Sequence, residues 1–313
     1  MKIGIDTLGG DFAPDEIVLG SIAAAKEFSP EIKIVLIGDK TKAEKIITEN
    51  RASISNFEFI HTTEKIEMGE HPAKAFSRKT NSSIALGYKM LHEGTIDGFA
   101  SAGNTGAMLV GAMYTVKAIS DIIRPSIAAR IPRPDGNYTI ILDVGLNADC
   151  KPEVLYQFGI LGSRYANMVF EVENPKIGLL SLGSEEEKGN LTTRAAFQLM
   201  NGTKDFNFVG NIEGTDILNY EKVDVVVCDG FVGNVVLKQA EAIYTIMKNR
   251  NITDEYFDKW NFENFGGTPI LGINAPVIIG HGVSKAKAVK NMLLHTKEVI
   301  KANLVDKFKE IFK

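Results

Sequence analysis

The chain has 313 residues, 44% of them hydrophobic, and a formal net charge of −4 at neutral pH. This length and composition allow one or two sizeable buried cores. The lysines are spread along the chain, which argues against a nucleic-acid-binding protein, because such proteins usually carry a basic domain or stripe. The two cysteines show no metal-binding or redox spacing, so we expect no disulfide framework.

The N-terminal stretch leads directly into a predicted strand, and Asp6 interrupts any apolar signal core. No uninterrupted apolar run reaches the roughly 18 residues that a membrane span requires. We therefore expect a soluble cytoplasmic protein.

Hydrophobic periodicity predicts strands and helices that alternate along the chain. The predicted strands, in chain order, are 2–5, 33–37, 57–60, 98–101, 126–131, 139–144, 176–182, 206–209, 223–228 and 276–279. The predicted helices follow at 15–24, 43–47, 82–91, 105–116, 152–165, 190–200, 234–249, 254–260 and from 285 to the C-terminus. The stretch 62–80 is polar and mixed, and it is read as loop. This alternation predicts an α/β fold of parallel strands with crossover helices. A single domain over 1–313 is expected; two lobes are compatible with the pattern, which draws no boundary.

The most informative stretch runs from Asp97 to Ala107 and reads DGFASAGNTGA. It predicts a short strand, a tight glycine turn and the start of a helix. Free N–H groups at a helix N-terminus favour an anion through hydrogen bonds and the helix dipole. The stretch therefore indicates a cradle for phosphate or another small oxyanion. The alternative is an ordinary strand-to-helix turn in which Thr105 caps the helix.

Loops after other predicted strands resemble this one, and five of them place an Asn soon after a Gly. These loops are 6–11, 101–104, 143–147, 183–190, 210–214, 229–234 and 280–282. In open parallel sheets, ligands bind outside the carboxyl ends of the strands. We therefore expect the loops to converge on one anion-binding pocket.

Four basic side chains near these loops are candidates for substrate contact. Arg124 precedes a proline and could form a fixed fork for phosphate, or be a surface arginine. Lys188 and Lys238 could bind phosphate, or be solvated surface lysines. His281 lies between two glycines and could donate to a developing oxyanion or protonate a leaving thiolate. A structural histidine in a turn is the alternative.

The sequence gives little support for a covalent or metal-dependent mechanism. No Gly-x-Ser-x-Gly elbow or Gly-x-x-x-x-Gly-Lys phosphate loop is present. Cys228 falls inside an apolar strand, and Cys150 follows the carboxylate of Asp149, so neither residue suits thiolate formation. If the protein handles acyl groups, a covalent cysteine intermediate is not expected, and the acceptor would attack directly. No His, Asp and Glu set has metal spacing, so no catalytic metal is expected.

Taken together, the motifs resemble those of the acyl-[acyl-carrier-protein]:phosphate acyltransferase (PlsX) family over nearly the whole chain. The matching stretches are DTLGGDFAP from Asp6, SAGNTGA from Ser101, Arg124-Pro125, LDVGLN from Leu142, Asn174-Pro175, Lys188-Gly189-Asn190, FVGNIEG from Phe208, DGFVGN from Asp229, Leu237-Lys238, Phe265-Gly266-Gly267 and His281-Gly282.

The resemblance implies a Rossmann-like parallel-sheet α/β/α fold similar to phosphotransacetylases. It implies transfer of a fatty acyl group from acyl carrier protein to inorganic phosphate, which yields acyl phosphate for bacterial phospholipid synthesis. It further implies a cytoplasmic homodimer that uses neither metal nor nucleotide cofactor. The implied partners are acyl carrier protein and a membrane glycerol-phosphate acyltransferase, and the implied location extends to peripheral contact with the membrane.

Loop chemistry and resemblance together define the expected site residues. Asn104, Thr105, His281 and Lys188 are expected to be catalytic, with Asn104, Thr105 and Arg124 positioning phosphate and His281 facing the thioester. The expected substrate-binding residues are Asp6, Gly9, Gly10, Asp11, Ser101, Gly103, Gly106, Arg124, Asp143, Asn147, Asn190, Asn211, Asp229, Asn234 and Lys238.

The chain departs from the family pattern in two places. Family members commonly read His-Gly-Ser-Ser-Asp after the last strand, where this chain has His281-Gly282-Val283-Ser284-Lys285. The segment at about 239–264, where the family carries a protruding amphipathic hairpin linked to membrane contact, is shorter here. We expect a short helical excursion and weak intrinsic binding to anionic lipid vesicles.

Three other functions are considered. A phosphotransacetylase-like enzyme acting on acyl-CoA and a non-catalytic acyl-thioester-binding protein both remain open. A nicotinamide-dependent dehydrogenase is disfavoured, because residues 9–14 lack the Gly-x-Gly-x-x-Gly sequence that binds a dinucleotide.

Overall fold

The computed structural model describes residues 1–219 and 221–312. The strands within these ranges are, in chain order, β1 (Lys2–Asp6), β2 (Lys33–Gly38), β3 (Phe57–His61), β4 (Gly98–Ser101), β5 (Ser126–Pro132), β6 (Tyr138–Leu142), β7 (Lys176–Leu180), β8 (Asn207–Ile212), β9 (Val225–Val227), β10 (Thr268–Leu271) and β11 (Val277–Ile279). The helices are α1 (Asp15–Ala25), α2 (Lys40–Glu49), α3 (Pro72–Arg78), α4 (Ser83–His92), α5 (Thr105–Gly111), α6 (Pro152–Phe170), α7 (Leu191–Met200), α8 (Gly230–Asn249), α9 (Glu255–Asp258), α10 (Ala286–Lys301) and α11 (Leu304–Ile311). A π-helical turn, Ala112–Val116, continues α5.

The chain forms two compact units. Unit 1 comprises Met1–Ile119 and Phe262–Val305, and unit 2 comprises Ser120–Asn261 and Asp306–Lys313. Within residues 1–219 and 221–312, no helix combines the length and the apolar character needed to cross a bilayer.

Unit 1 is built on strands in the order β3-β2-β1-β4-β11-β10. Every neighbouring pair runs parallel except β10 and β11. Helices cover both faces of these strands, as two adjacent residues of β4 demonstrate. A Cβ placed on Gly98 would meet Thr296 and Ile300 of α10, whereas Phe99 packs against Gly87 of α4. Because successive strand residues point to opposite faces, α10 and α4 lie on opposite sides of β4.

Aromatic packing fixes α4 against β4. The ring of Tyr88 is fully buried and meets the ring of Phe99 edge to face, with centroids 5.3 Å apart. Its hydroxyl donates to the carbonyl oxygen of Met108 in α5 at 2.5 Å, so its polar end is satisfied. This side chain therefore ties α4, β4 and the helix of the central motif together.

Unit 2 is built on strands in the order β5-β6-β9-β7-β8. β5 and β6 form an antiparallel hairpin, and the remaining neighbours run parallel. α6 packs against them, because Gly162 leaves room for Leu142 and Val225. The three valines of β9 are completely buried, as expected for a parallel strand in the middle of a sheet.

A buried arginine connects the β5–β6 turn to two other strands. Arg133 is 5% exposed, and its guanidinium donates to Asp135 at 3.2 Å and to Asp224 at 2.9 Å. The second carboxylate oxygen of Asp224 accepts the N–H of Lys176 at 2.9 Å. The start of β7, the residue before β9 and the hairpin turn are thus held by one charged group.

The predicted α/β class is confirmed, and the elements that differ do so for identifiable reasons. α3 lies in the stretch read as loop, since Pro72 starts a helix too short to show clear periodicity. The sheet also contains β10, a strand not predicted from the sequence, which pairs antiparallel to β11. The long C-terminal helix is instead two helices, separated where Asn303 adopts a left-handed conformation.

Two corrections bear on the site. The strand expected to end at Val209 continues through Ile212, so Asn211 lies within β8 and not in a loop. α8 begins at Gly230 and not near Asn234, because the carboxylate of Asp229 caps it by accepting the N–H of Val232 at 2.8 Å. Asn234 and Lys238 therefore lie in the body of that helix.

Replacing Arg133 with Ala should lower the free energy of unfolding by about 3 kcal/mol, because the half-buried carboxylate of Asp224 would lose its charged partner. Urea titration of purified protein measures this loss. The exposed Arg250→Ala variant is the control, with a change expected within about 0.5 kcal/mol. Equal stability of the two variants would contradict the role given to Arg133.

Candidate active site

The loops that follow β1, β4 and β11 form one cluster in unit 1. These three strands are neighbours and run parallel, so their carboxyl ends share one edge. The N–H of Gly280 donates to the carbonyl of Ser101 at 2.8 Å, and the N–H of Asp11 donates to that of Gly282 at 2.8 Å. The sequence-based prediction that these loops lie together is therefore met within this unit.

The carboxylate of Asp6 holds this cluster together by hydrogen bonds. It is 1% exposed; one oxygen accepts the N–H groups of Leu8 and Gly9, at 2.9 and 3.1 Å, and the other accepts the hydroxyl of Ser101 at 2.7 Å. Ser101 in turn accepts the N–H of Gly103 at 2.9 Å. Burial raises the pKa of Asp6, an effect that these hydrogen bonds oppose. The buried side chain holds loops, and direct contact with substrate stays a prediction.

Two glycines allow the loops after β1 and β4 to touch. A Cβ on Gly9 would lie 2.7 Å from the backbone N of Gly103 and would overlap the carboxylate of Asp6. Only a residue without a side chain fits at this crossing. Gly9 and Gly103 are thus required by backbone approach, which explains two of the predicted site positions. Gly10, with a φ of +101°, begins the turn towards Gly282.

Both the oxygen and the amide nitrogen of the Asn104 side chain make hydrogen bonds within the protein. Its oxygen caps α5 by accepting the N–H of Ala107 at 2.9 Å. Its amide donates to the carbonyls of Glu67, Met68 and Glu70, at 2.9, 3.1 and 3.3 Å. It therefore clamps the 67–70 loop over the glycine turn. The sequence predicts a loop here, but its contact with the glycine turn was not predicted, because nothing local in the sequence reports it. Donation from Asn104 to phosphate stays a prediction, and the observed role is to position the loop.

Donors at the start of α5 are available to a ligand. Thr105 is exposed, and within residues 1–219 and 221–312 the N–H groups of Thr105 and Gly106 meet no acceptor. His281, also exposed, stacks against the ring of Phe262 with centroids 5.0 Å apart. Unit 1 thus presents the N–H donors of Thr105 and Gly106, and an exposed histidine whose ring packs against Phe262.

Unit 2 repeats the buried-carboxylate arrangement at the end of β6. Asp143 is fully buried and accepts the N–H groups of Ile127, Leu146 and Asn147, at 2.9, 3.4 and 2.6 Å. The side chain of Asn147 donates to Asp143 at 2.9 Å and to the carbonyl of Pro125 at 2.8 Å. Burial raises the pKa of Asp143, against the effect of these hydrogen bonds. The peptide next to Arg124 is therefore tied to the loop after β6.

The loop after β9 packs directly on the loop after β6. The N–H of Gly230 donates to the carbonyl of Asn147 at 2.7 Å. A Cβ on Gly230 would lie 2.6 Å from that oxygen, so glycine is needed there. Asp229, the cap of α8, and Asn234, which lies beside Gly145, belong to the same cluster.

The remaining predicted residues of unit 2 have different surroundings. Arg124 is exposed, and its guanidinium has no hydrogen-bond or ion-pair partner among the described residues. Lys188 is exposed in the loop after β7. Asn190 caps α7, and the exposed Lys238 pairs with Glu241 at 2.7 Å. Asn211 is buried, and its amide donates to the carbonyl of Glu185 at 2.8 Å, which holds the loop that carries Lys188. The structure therefore gives Asn190 and Asn211 supporting positions, and their contact with substrate stays a prediction, as does convergence of all the loops on one pocket.

The two cysteines are poor nucleophiles in this environment. Burial, with the charges of Asp143, Asp229 and Asp149, raises the pKa of Cys150 to about 12. Cys228 is buried, and its pKa is likewise raised by loss of solvent. Thiolate is therefore scarce at neutral pH at either position. Among the described residues, no group of three or more His, Cys, Asp or Glu side chains could hold a metal ion.

Comparison with known proteins gives consistent matches over almost the whole chain. Residues 1–307 match the family described as "Fatty acid synthesis protein". The chain is 40% identical to the "Phosphate acyltransferase" of Dictyoglomus turgidum, over 99% of this chain and 97% of that protein. It is 42% identical to the "Phosphate acyltransferase" of Pelotomaculum thermopropionicum, over 98% of this chain and 93% of that protein.

Solved structures with a similar fold include two phosphotransacetylases. The enzyme from Streptococcus pyogenes superposes with a TM-score of 0.69 at 18% identity, covering 96% of this chain and 94% of that one. EutD phosphotransacetylase from Staphylococcus aureus gives a TM-score of 0.63 at 16% identity, with the same coverage. The predicted similarity of fold is thereby confirmed.

Replacing Gly9 with Ala should reduce turnover at least about tenfold and lower the free energy of unfolding by about 1–3 kcal/mol, because the methyl group forces apart the loops after β1 and β4. Gly69→Ala is the matched control, since a Cβ there meets nothing within 4 Å. Steady-state kinetics and urea unfolding measure both effects. Wild-type behaviour of Gly9→Ala would show that the crossing tolerates a side chain.

Proposed function

Because this chain belongs to the phosphate acyltransferase family and is an acyltransferase, we propose that it transfers a fatty acyl group from acyl carrier protein to inorganic phosphate. The products are an acyl phosphate and free carrier protein, which supply bacterial phospholipid synthesis. The observation that carries this proposal is the set of unpaired N–H donors and the hydroxyl at the start of α5, fixed by the buried carboxylate of Asp6.

Phosphate binding rests on these donors. A dianion needs several hydrogen-bond donors, and the N–H groups of Thr105 and Gly106 are already oriented by the capped helix. Gly106 also contacts Pro72, so the turn is packed from outside. Such preorganisation matters because phosphate is a weak nucleophile until it is positioned; holding two reactants in attack geometry supplies about 7–11 kcal/mol.

We assign to His281 the donation of a hydrogen bond or a proton during cleavage of the thioester. A phosphate oxygen attacks the carbonyl carbon, a tetrahedral oxyanion forms, and its collapse breaks the C–S bond and releases the carrier thiolate, which takes up a proton. An exposed imidazole between Gly280 and Gly282 can donate to the oxyanion or protonate the thiolate. Packing against Phe262 limits the orientations of the ring.

Exposed cations in unit 2 support binding of anionic substrates. Arg124 is included because its guanidinium has no partner among the described residues and could bind phosphate. Asn147 holds the next residue, Pro125, by a hydrogen bond to its carbonyl. Lys188 lies on a loop that Asn211 holds in place. Asp229 and Asn234 lie on the adjoining loop and helix. We assign these groups to substrate binding.

The location and assembly of the enzyme are part of the same proposal. We propose a homodimer in the cytoplasm that meets acyl carrier protein there and hands acyl phosphate to a membrane glycerol-phosphate acyltransferase. α9 is only four residues long, and the excursion that contains it is short. This length supports weak intrinsic membrane binding.

The activity is tested by incubating the protein with an acyl carrier protein thioester and phosphate, and trapping acyl phosphate with hydroxylamine. Phosphate-dependent hydroxamate is expected. His281→Ala and Thr105→Ala should each lower turnover at least about tenfold, because each removes a donor from the reacting groups. His92→Ala and Thr63→Ala, both exposed in unit 1, are the controls and should keep wild-type rates.

Product formation from acyl-CoA alone would favour a phosphotransacetylase-like activity over the one proposed. Absence of product from both thioesters would favour a non-catalytic acyl-thioester-binding protein.

Direct attack predicts that neither thiol is needed. The Cys150→Ala, Cys228→Ala double variant should keep turnover within about threefold of wild type, because both thiols are protonated at neutral pH. Quenched-reaction mass spectrometry should find no acyl group on the wild-type protein. Loss of activity with intact folding, or an acylated cysteine, would establish a covalent mechanism instead.

A further inference from the structure

Unit 2 contains a polar cavity of about 510 Å³ that the proposed activity does not use. It is lined by the end of α6 and by the residues that precede β7 and β8. The candidate loop 181–190 follows β7, so it lies at the opposite end of this strand of five residues. At about 3.3 Å per residue, the two ends are roughly 16 Å apart. The cavity is thus separate from that loop.

Two basic side chains line this cavity without an ionic partner. The Nε atom of Arg164 is buried and has no hydrogen-bond partner among the residues that the structure describes. Lys204 is exposed at the cavity and forms no ion pair with any residue in the described ranges. A buried guanidinium N–H without an acceptor costs free energy, so an acceptor supplied by a ligand would stabilise this arrangement.

A nearly buried hydroxyl adds a third unused donor. Ser163 is 4% exposed, lines the cavity and makes no side-chain hydrogen bond within the described part of the chain. It precedes Arg164 on α6, so both groups are held by the same rigid helix. This pair is a fixed element of the site.

The one carboxylate in the lining is already engaged. Asp205 accepts the hydroxyl of Tyr156 at 2.5 Å, and that hydroxyl lies 2.6 Å from the hydroxyl of Thr203. Asp205 forms no ion pair with Arg164 or Lys204. The lining therefore carries two positive groups against one negative group, and Arg164 and Ser163 add donors that make no hydrogen bond within the described residues.

From this excess of donors we propose that the cavity binds the phosphate group of a small phosphomonoester. Arginine forms paired hydrogen bonds to phosphate, with lysine as a second charge and the serine hydroxyl as a further donor. The volume falls within the roughly 300–1,000 Å³ of small-molecule sites, which leaves room for an organic group beyond the phosphate. The proposal is independent of the acyltransferase activity.

Calorimetric titration of the full chain with phenyl phosphate tests this site, with phenol as the uncharged probe. Saturable binding of phenyl phosphate, and none of phenol, is expected. Arg164→Gln should weaken the affinity at least about tenfold, because a charged hydrogen-bond donor is lost. Lys204→Gln, an exposed change that leaves packing intact, should weaken it about threefold or more.

Two controls locate the binding. Arg250→Gln removes an equal charge from an exposed position outside the cavity and should leave the affinity unchanged. Thr105→Ala, which alters the candidate active site, should also leave it unchanged. Unaltered affinity in both Arg164→Gln and Lys204→Gln, equal binding of phenol, or no saturable binding of phenyl phosphate would each overturn the proposal.

Discussion

A buried carboxylate at the end of a strand is the constraint on which the loop cluster of each unit depends. Asp6 ends β1 in unit 1, and Asp143 follows β6 in unit 2; each accepts backbone N–H groups of the loop that comes next. A carboxylate taken out of water must be compensated by hydrogen bonds, and here the donors are loop amides. The free energy that keeps the carboxylate buried therefore also fixes the loop.

This rigidity bears directly on the chemistry that the protein performs. Positioning of phosphate for attack is effective when the donors are held in place before reaction, so that no reorganisation is needed. The donors of Thr105 and Gly106 meet this condition, because Asn104 caps their helix and Tyr88 anchors it to β4 through Met108. In the proposed reaction the glycine loops act through fixed backbone geometry, and no protein nucleophile takes part.

Individual site residues show where sequence reasoning reached its limit. Thr105 and His281 were predicted as site residues from local chemistry, and both are exposed among the expected loops, while their role stays a prediction. Asn104 was identified as well, but its partners in the 67–70 loop are more than thirty residues distant along the chain, and no periodicity reports such a contact. Asn211 was placed in a loop, whereas it lies in β8, since the register shift between β7 and β8 extends that strand past Gly210.

The sequence by itself determined the alternation of strands and helices, the glycine loops after the strands and the membership of the family. These are local properties, which the hydrophobic periodicity and the short motifs indicate. Only the tertiary structure decided which polar side chains are exposed and which support the backbone, because burial and hydrogen-bond partners depend on residues brought together from distant parts of the chain. The unpaired Arg164 beside its polar cavity belongs to that second class. In the sequence Arg164 resembles any other arginine of a helix. That its Nε atom is buried without a partner among the described residues is visible only in the folded molecule.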